Sequence, residues 1–348
     1  MKILVTGTDG YLGSLLVPML LEEGHGVTGV DVGFYRSGWL YEAGSDQVQT
    51  ITRDIRSIEA RDVAGYDAMV HMAELSNDPA GELAPGITRE INHRGSVRLA
   101  ELAKKACVKR FIYMSSCSVY GAADGDEPVD EATAPNPQTA YALCKTLCER
   151  DILAMAGTHF SPVCFRNSTA FGASPRQRFD LVVNNLCGLA WTTGCIKMSS
   201  DGSPWRPLVH ASDIGRAIIC ALEAPVEAIH GEVINIGSNE LNHRVSEIAD
   251  AVANCFEGCE VEYGQGSDDR RSYRVMFDKL AKHLPAFRCR WDLQSGINQF
   301  HELFRKLDLS RDDFENRAFT RLKQLSFLIK TGQIDGSFYW TGTSSAAN

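Results

Sequence analysis

A tyrosine and a lysine four positions apart are the residues of this sequence best suited to proton transfer. Tyr141 and Lys145 lie in the segment AYALCK, and at that spacing two side chains share one face of a helix. A free tyrosine titrates near pH ~10, but a cation held beside the ring stabilises the phenolate and lowers that pKa. Tyr141 then becomes a group that takes a proton from an alcohol and returns it. Most isolated pairs of this kind are a buried ring beside a solvated lysine, so the surrounding elements must decide.

The composition bounds what those elements can be. The chain has 348 residues, of which 44% are hydrophobic and 23% charged, as is ordinary for a globular enzyme of one large or two joined domains. Its net charge of -9 argues against nucleic acid or an anionic membrane as the main partner. An anionic substrate would therefore need a local basic pocket.

Cysteine usage predicts the compartment and excludes a common kind of metal site. The eleven cysteines are scattered and contain no C-x-x-C pair, which favours reduced intracellular thiols over a disulfide frame or a zinc site. The sequence begins directly with a strand-like run, which predicts no signal peptide, and no apolar run approaches membrane-spanning length. We therefore expect a cytoplasmic protein without a structural metal.

A glycine-rich turn opens the chain between a strand and a helix. Residues 2–6 form an apolar run, TGTDGYLG follows at 6–13, and a helical pattern covers 14–23. Glycines in such a turn let the backbone approach a pyrophosphate at the helix N-terminus. A second strand, 26–30, ends at Asp31, whose carboxylate would accept bonds from both adenosine ribose hydroxyls and repel a 2′-phosphate, favouring NAD over NADP.

Strands and helices alternate through the first half of the sequence. The patterns predict strands at 48–52, 68–72, 110–114 and 161–166, and long helices at 87–106 and 141–155. This alternation predicts an α/β fold with a Rossmann-type, doubly wound parallel sheet. After Gly172 the alternation breaks down. The later patterns predict helices at 181–191, 213–223, 245–256 and 312–331, a small strand at 260–263, and a return to the sheet at 233–237.

Taken together, residues 1 to about 280 resemble the extended short-chain dehydrogenase/reductase family, in its branch of nucleotide-sugar epimerases and dehydratases. The resemblance rests on TGTDGYLG, Asp31, Asp54-Ile55, HMAE (71–74), SSCSVYG (115–121), YALCK (141–145), RPLVH (206–210) with Asp213, and INIG (234–237). It implies NAD as cofactor, a nucleotide-sugar substrate and a homodimer formed through the Tyr141 helix and the helix before it. It also implies an NAD-binding domain at 1–172 with 207–237 returning to it, a smaller mixed α/β substrate lobe at 173–206 and 238–340, and a frayed tail at 341–348.

The resemblance assigns roles to individual residues. Ser116 would hold the sugar hydroxyl while Tyr141 removes its proton, and Lys145 would bind the nicotinamide ribose and acidify Tyr141. The cofactor would lie against Gly7, Gly10, Tyr11, Leu12, Gly13, Asp31, Asp54, Ile55, Met72, Ala73, Asn92, Ser115, Tyr141, Lys145, Asn167 and Ser168. The substrate would lie against Glu74, Ser116, Ser118, Thr169, Asn184 or Asn185, Arg206 and Arg271; the two arginines suit a diphosphate because guanidinium donates two bonds at once.

Several positions depart from the family pattern. A second diphosphate arginine would fall at Gly266, so Arg271 is its expected substitute. Glu74 replaces a small residue and would either touch the sugar or cap a turn. Dehydratase and decarboxylase relatives carry an acid just after the serine, where this chain has Cys117 and Ser118. Since dehydration needs that acid to protonate the leaving hydroxyl, these positions argue against a dehydratase of the usual type. Cys117 itself is either an acid/base group or a small buried residue.

The resemblance therefore implies an NAD-dependent epimerase that oxidises one ring hydroxyl, most simply at C4, to a ketone and reduces it again. A 4-keto-sugar reductase or oxidoreductase using the same residues once is the first alternative, and an atypical dehydratase is the next. A binding protein on a retained dinucleotide fold is a further alternative, although such proteins tend to lose the serine, tyrosine or lysine.

Overall fold

A parallel sheet dominates the computed structural model, which describes residues 1–42, 48–122, 127–265 and 271–342. Within these ranges the large sheet contains seven strands in the order β10-β6-β5-β4-β1-β2-β3, and every neighbouring pair runs parallel. The strands of the structure are β1 (Lys2–Thr6), β2 (Gly26–Asp31), β3 (Thr50–Thr52), β4 (Ala68–His71), β5 (Arg110–Ser116), β6 (Ser161–Asn167), β7 (Thr169–Phe171), β8 (Cys195–Lys197), β9 (Trp205–His210), β10 (Glu232–Ile236), β11 (Asn242–Arg244) and β12 (Glu260–Glu262).

Helices connect these strands and cover both faces of the large sheet. They are α1 (Gly13–Glu22), α2 (Ala60–Val63), α3 (Asp78–Glu82), α4 (Pro85–Thr88), α5 (Ser96–Lys105), α6 (Ala140–Leu153), α7 (Val182–Thr193), α8 (Ala211–Glu223), α9 (Val226–Ile229), α10 (Val245–Cys255), α11 (Asp278–His283), α12 (Leu293–Leu307), α13 (Arg311–Glu315) and α14 (Arg321–Lys330). The predicted Rossmann-type fold is confirmed, since strands that are buried on both faces read as apolar runs and require helices on each side.

Alternate residues of each strand enter two separate cores. Leu4, Met69 and Phe111 pack on one side of the sheet with α5 and α6. Ile3 and Ile112 point to the other side and pack against α1 and α8. The period of two along a strand explains this division, because neighbouring side chains point to opposite faces.

A smaller mixed lobe lies beyond the large sheet. Its three-stranded sheet has the order β11-β9-β7, with β7 parallel and β11 antiparallel to β9, and β8 pairs with β12. A third core rich in phenylalanine joins α7, α10 and α12. Strand β10 returns to the large sheet beside β6, as the pattern at 233–237 predicts. The exact division between the lobes stays a prediction.

Two predicted helices differ in the structure. The segment 87–106 is interrupted by a π-helical stretch, Arg89–Gly95, between α4 and α5. The single helix predicted at 312–331 is wrong: it divides into α13, a 3₁₀ turn (Arg317–Phe319) and α14. Asn316 causes the break, because its backbone is extended and its side chain accepts from the N–H of Ala318, as Asn does at helix starts. Helix α12 has no counterpart in the sequence analysis.

No helix in the described part of the chain is long and apolar enough to cross a membrane. Of the predicted frayed tail at 341–348, residues 343–348 lie outside the described residues, as does Gly266.

A buried ion pair ties α6 to the large sheet. Arg166 on β6 donates from Nη2 to Glu149 Oε2 on α6 at 2.8 Å, and both side chains are 5% exposed. Glu149 Oε1 also accepts from Ser115 Oγ at 2.5 Å, and Arg166 Nη1 donates to Tyr120 Oη at 3.0 Å. This network fixes the helix that carries Tyr141 against the strands that carry Ser116 and Asn167.

We expect Glu149→Ala to lower the free energy of unfolding by about 3–5 kcal/mol, because it leaves the buried Arg166 charge without its partner. Glu90→Ala is the control, because it removes an exposed i,i+4 pair in which the Glu90 side chain is 43% and the Arg94 side chain 65% exposed. It should lower the free energy of unfolding by less than about 0.5 kcal/mol. Urea denaturation of the three proteins measures both values. Equal effects of the two substitutions would contradict a structural role for the buried pair.

Candidate active site

The tyrosine, the serine and the lysine meet at the carboxyl end of β5. Ser116 is the last residue of β5, and its Oγ accepts from the N–H of Ser118 at 3.1 Å, which caps the following turn. Tyr141 stands in the first turn of α6, where Thr139 Oγ1 caps the helix by accepting from Ala142 N. The Ser116 hydroxyl lies close enough to the Tyr141 side chain to favour its ionised form, which acts to lower the pKa of the phenol. The structure thus brings these two predicted residues together.

Lys145 lies one turn further along α6 and is buried. Its Nζ is 4.7 Å from the centre of the Tyr113 ring and 5.4 Å from that of the Tyr141 ring. The same Nζ donates to the carbonyl oxygen of Met114 and forms an ion pair with Glu74 Oε2 at 2.7 Å. The pair is inside the protein, since the two side chains are 5% and 2% exposed.

Glu74 therefore neither caps a turn nor projects into an open sugar pocket. Besides Lys145, its carboxylate accepts from Tyr113 Oη at 2.7 Å and from Ser96 Oγ at 3.1 Å, both through Oε1. The carboxylate thus has two hydrogen bonds through Oε1 and an ion pair through Oε2. Sequence reasoning identified Glu74 as a departure but missed its partners Tyr113 and Ser96, which lie 39 and 22 positions away.

The electrostatics of Tyr141 combine opposing effects. Burial raises the pKa of the Tyr141 hydroxyl; Lys145 lowers it, whereas Glu74 and Asp78 raise it further. Burial also works against a charged Lys145, but Glu74 and Tyr141 raise the pKa of the ammonium group above its usual range. The lysine is therefore a permanent cation whose effect on the tyrosine is partly offset by the carboxylate beside it.

The glycine turn between β1 and α1 has the shape that a dinucleotide needs. Gly7 has φ +85°, and a Cβ there would lie 3.0 Å from Ala73 N. A Cβ on Gly13 would lie 2.1 Å from Gly7 O, so only glycine allows α1 to start this close to the turn. Gly10 N donates to Gly7 O at 3.2 Å. The backbone in this turn is consequently open to a pyrophosphate.

Two other residues of that turn face the protein interior. Tyr11 is 3% exposed and donates from Oη to Gly172 O at 2.7 Å, directly after β7. Leu12 packs against the core on the α1 side of the sheet. They support the turn from behind, so any contact with the cofactor would come from their backbone.

Asp31 lies at the end of β2, as the sequence predicts for a ribose-binding carboxylate. Its two oxygens accept from Gly33 N at 2.7 Å and Asp9 N at 3.1 Å. Burial, followed by the neighbouring Asp9 carboxylate, raises the pKa of Asp31 to about 6. Asp9, which the sequence analysis passed over, pairs with Arg36 at 2.8 Å. A carboxylate has lone pairs for more than these bonds, so Asp31 retains acceptor capacity for a ribose.

The expected adenine-side residues have a structural partner. Asp54 caps the 3₁₀ turn Ile55–Ser57 by accepting from Arg56 N at 2.8 Å, and it also pairs with the Arg56 guanidinium at 2.7 Å. Ile55 is 5% exposed and packs in the core. Arg56 in turn lies over the Tyr339 ring, with its guanidinium carbon 3.8 Å from the ring centre.

The next predicted cofactor positions lie directly after β4 and in the π-helical stretch Arg89–Gly95. Met72 N and Ala73 N both donate to Thr6 Oγ1, at 3.1 and 3.2 Å, which holds the chain after β4 against β1. Asn92 is fully buried and exchanges two hydrogen bonds with the backbone of Leu75, at 2.9 and 3.0 Å. Both observations indicate that these residues shape the groove.

Beside Ser116, polar atoms remain for a ligand. Asn167 Nδ2 donates to Ser115 O at 3.0 Å, while Ser115 Oγ is used by Glu149. Asn167 Oδ1 and the hydroxyls of Ser168 and Ser118 are buried and have no hydrogen-bond partner among the described residues. Buried polar atoms of this kind are normally satisfied, so they fit the nicotinamide and sugar ends of a bound pair.

The predicted substrate asparagines are used internally. Asn184 is fully buried; it accepts from Gly172 N at 3.1 Å and donates to Arg178 O at 2.9 Å. Asn185 Nδ2 donates to Phe179 O at 2.9 Å. Thr169 begins β7 and pairs with Leu208 of β9. Both asparagines shape the loop before α7, and of the two only Asn185 is not fully buried.

The two predicted diphosphate arginines lie together. Arg206 Nη1 donates to Arg271 O at 2.5 Å, and the Arg271 guanidinium pairs with Asp78 on α3. The guanidinium carbons of Arg244 and Arg274 lie 4.6 and 4.9 Å from the centre of the Trp205 ring. This arginine cluster is a local basic surface in a chain of net charge -9, as an anionic substrate requires.

Cys117 has no place in acid/base chemistry here. Its thiol is 1% exposed and donates to Arg166 O at 3.2 Å, away from Tyr141. Burial raises the pKa of this thiol well above its usual range. With Ser118 next to it, the positions after Ser116 offer no acid to protonate a leaving hydroxyl.

Comparison with known proteins agrees with the family resemblance found in the sequence. The model of the NAD dependent epimerase/dehydratase family matches residues 3–237. The UDP-glucose 4-epimerase of Mycolicibacterium smegmatis is 29% identical over 251 residues, covering 68% of this chain and 77% of that protein. The UDP-N-acetyl-alpha-D-glucosaminuronate decarboxylase of Bacillus cytotoxicus is 27% identical over 259 residues, 71% of this chain and 78% of that protein. A structure of MoeE5 in complex with UDP-glucuronic acid and NAD superposes with a TM-score of 0.76 at 26% identity, over 88% of this chain and 99% of that one.

The raised pKa of Asp31 leads to a pH-dependent affinity for the dinucleotide. The ionised carboxylate accepts from ribose hydroxyls, so binding of NAD to the nucleotide-free protein should weaken as pH falls through about 6, by up to about tenfold per pH unit below it. In Asp31→Asn the affinity should be lower and independent of pH in this range. Isothermal titration calorimetry measures both, and a flat profile for the unmodified protein would contradict the assignment.

Proposed function

Because the chain belongs to the NAD dependent epimerase/dehydratase family, we propose that it is an NAD-dependent UDP-sugar 4-epimerase. The family and the cofactor predicted from the sequence are confirmed by that match. The observation that carries the more specific proposal is that Ser116 lies beside Tyr141, one helical turn before buried Lys145. In addition, Cys117 and Ser118 stand where a dehydratase needs an acid. The 4-epimerase name of a relative supports the same conclusion.

The proposed reaction assigns a task to each of these side chains. Ser116 Oγ holds the C4 hydroxyl of the sugar, and Tyr141 Oη removes its proton. Lys145 stabilises the phenolate form in which Tyr141 accepts this proton, and it binds the nicotinamide ribose. Bound NAD would supply the acceptor and later the donor of the hydride at the same carbon, so that the net oxidation state would not change. Tyr141 gives the proton back when the ketone is reduced, and inversion follows if the sugar then presents its other face.

Turning the sugar requires firm binding at one end of the substrate and loose binding at the other. The cluster of Arg206, Arg244, Arg271 and Arg274 around Trp205 supports a tight hold on the diphosphate and the base. Asp78 pairs with Arg271, so a diphosphate would compete with a carboxylate for this guanidinium. The sugar end is left to hydroxyl groups, of which Ser118 Oγ has no hydrogen-bond partner among the described residues.

The test is a panel of UDP-hexoses incubated with the enzyme in deuterium oxide and followed by NMR. We expect a C4 epimer without ring deuterium and many turnovers without added NADH. Tyr141→Phe should reduce turnover by at least about 10²-fold, because it removes the proton-transfer group, while the protein still retains NAD. Cys117→Ala, in the turn directly after Ser116, is the control and should keep near-normal rates.

Other results of that experiment would exclude the proposal. Near-normal turnover by Tyr141→Phe would show that the phenol is not the base. Turnover that stops without a supply of reduced cofactor would indicate a 4-keto-sugar reductase, and deuterium at C5 would indicate dehydratase or other enolisation chemistry.

We also propose that the enzyme is a cytoplasmic homodimer that packs through the outer face of α6. Leu143 is 46% exposed on this helix, and Leu147, one turn further on, is only partly buried. An apolar pair on the outside of a helix is the kind of surface that a second subunit covers. All eleven thiols are free, which agrees with a reducing compartment.

We expect Leu143→Lys to shift the protein from dimer to monomer, because it places a charge in the centre of the proposed interface. Tyr263→Lys is the control, since Tyr263 is 45% exposed but follows β12 in the smaller lobe. Analytical ultracentrifugation at micromolar concentration distinguishes the species. A monomeric unmodified protein, or equal behaviour of the two variants, would contradict this interface.

A further inference from the structure

We infer that Glu74 is a positioning residue of the reaction, which orients Lys145 and opposes the charge by which this lysine favours the Tyr141 phenolate. The inference deepens the proposed function and rests on it for the role of Tyr141 as base. It comes from the contacts of a carboxylate that occupies the first position after the predicted groove residues Met72 and Ala73.

Glu74 is the end point of a directed chain of hydrogen bonds. His71 is buried and neutral, because burial and then Lys145 lower its pKa to about 3. Ser96 Oγ donates to Glu74 Oε1, so it must accept from His71 Nε2 at 2.8 Å; His71 Nδ1 then accepts from Thr6 Oγ1 at 2.7 Å. Each hydroxyl and ring in this chain has one consistent direction, and the chain ends with a donor on Glu74 Oε1.

The chain links the glycine turn to the reacting end of the site. Thr6 is the residue before Gly7, and its Oγ1 also accepts from the N–H groups of Met72 and Ala73. Lys145 at the other end forms an ion pair with Glu74 Oε2 at 2.7 Å and donates to Met114 O. An ammonium has three N–H donors, so at least one remains that can bind a nicotinamide ribose. The ion pair with Glu74 therefore holds the ammonium group in place for that donor.

The negative charge of Glu74 affects the ionisation of Tyr141, whereas its hydrogen bonds only hold side chains in place. A buried carboxylate beside Lys145 makes the pair neutral, so the lysine draws the tyrosine proton away less strongly than an unpaired cation would. Removing the negative charge should move the deprotonation of the Tyr141–Lys145 pair to lower pH, because such a pair titrates as a unit. The sign is opposite to that expected if Glu74 merely helped to assemble the site.

The other ionisable groups near this pair are either buried with a shifted pKa or held in an ion pair. Burial raises the pKa of the thiols of Cys144, Cys148 and Cys164 and of the Tyr113 hydroxyl, and the partner Asp180 raises that of Arg178 against the effect of burial. His71 stays neutral, and Asp78 on α3 is paired with Arg271. The Glu149 carboxylate on α6 is held by Arg166.

The experiment compares pH profiles of Glu74→Gln with those of the unmodified enzyme. Glutamine keeps the size and the acceptor oxygen but removes the charge. We expect the acidic limb of kcat/KM to move to lower pH by at least about one unit. Glu74→Asp, which keeps the charge, should retain the original limb, and so should Tyr113→Phe, which removes a hydrogen bond to Glu74 without changing any charge. Glu74→Ala is the second variant should Gln disturb folding.

A second measurement does not depend on turnover. Ultraviolet absorbance of tyrosinate, taken as the difference between each NAD-loaded protein and its Tyr141→Phe counterpart, reports the titration of Tyr141 without substrate. The same downward shift in Glu74→Gln is expected. An unchanged or upward shift in both measurements overturns the inference about Glu74. If the unmodified enzyme turns over no UDP-sugar, the proposed function fails, and the absorbance titration still decides the role of Glu74.

Discussion

The site depends on one constraint of parallel sheets, namely that all strands deliver their carboxyl ends to the same edge. Gly7 follows β1, Asp31 ends β2, Met72 follows β4, Ser116 ends β5 and Asn167 ends β6. These residues are far apart in sequence, yet the parallel register places them along one crevice. Tyr141 and Lys145 do not lie at a strand end and require a further element to bring them there.

That element is α6, and the buried polar network behind it explains its precise position. Glu149 holds Arg166 and Ser115 on the sheet side, whereas Lys145 holds Glu74 and Met114 O on the groove side. A helix packed by apolar contacts alone could slide slightly with little loss of free energy. Directional bonds between buried charges do not tolerate such shifts, because each leaves an unpaired ion in a poorly solvating interior. Because these charges would be costly to leave unpaired, they hold α6 in one position, and this fixes where Tyr141 lies relative to Ser116.

The sequence was sufficient for the elements whose signals are local. Apolar runs at 2–6, 68–72, 110–114 and 161–166 predict β1, β4, β5 and β6 because buried parallel strands are apolar throughout. The glycine turn, Asp31 and the Tyr141–Lys145 spacing are local as well. The contacts of Glu74 could not be predicted, since Ser96 and Tyr113 lie on other elements and only the fold brings them together. For the same reason the sequence left Asn184 and Asn185 as alternatives for the substrate, although the Asn184 amide is used by Gly172 and Arg178.

The C-terminal part shows the same limit at longer range. Helix α14 and the segment after it pack against the β2–β3 edge of the large sheet: Gln324 Nε2 donates to Phe34 O at 3.1 Å and Trp340 Nε1 to Val32 O at 2.8 Å. Arg56, which neutralises Asp54, is covered by Tyr339 and donates to Ser337 O at 2.9 Å. These contacts join residues about three hundred positions apart, so no local pattern announces them. They mean that the adenosine end of the groove is built by both termini of the chain, whereas its reactive end is built by the sheet and α6. The stability of the C-terminal segment and the shape of the proposed adenosine end are therefore coupled through Arg56.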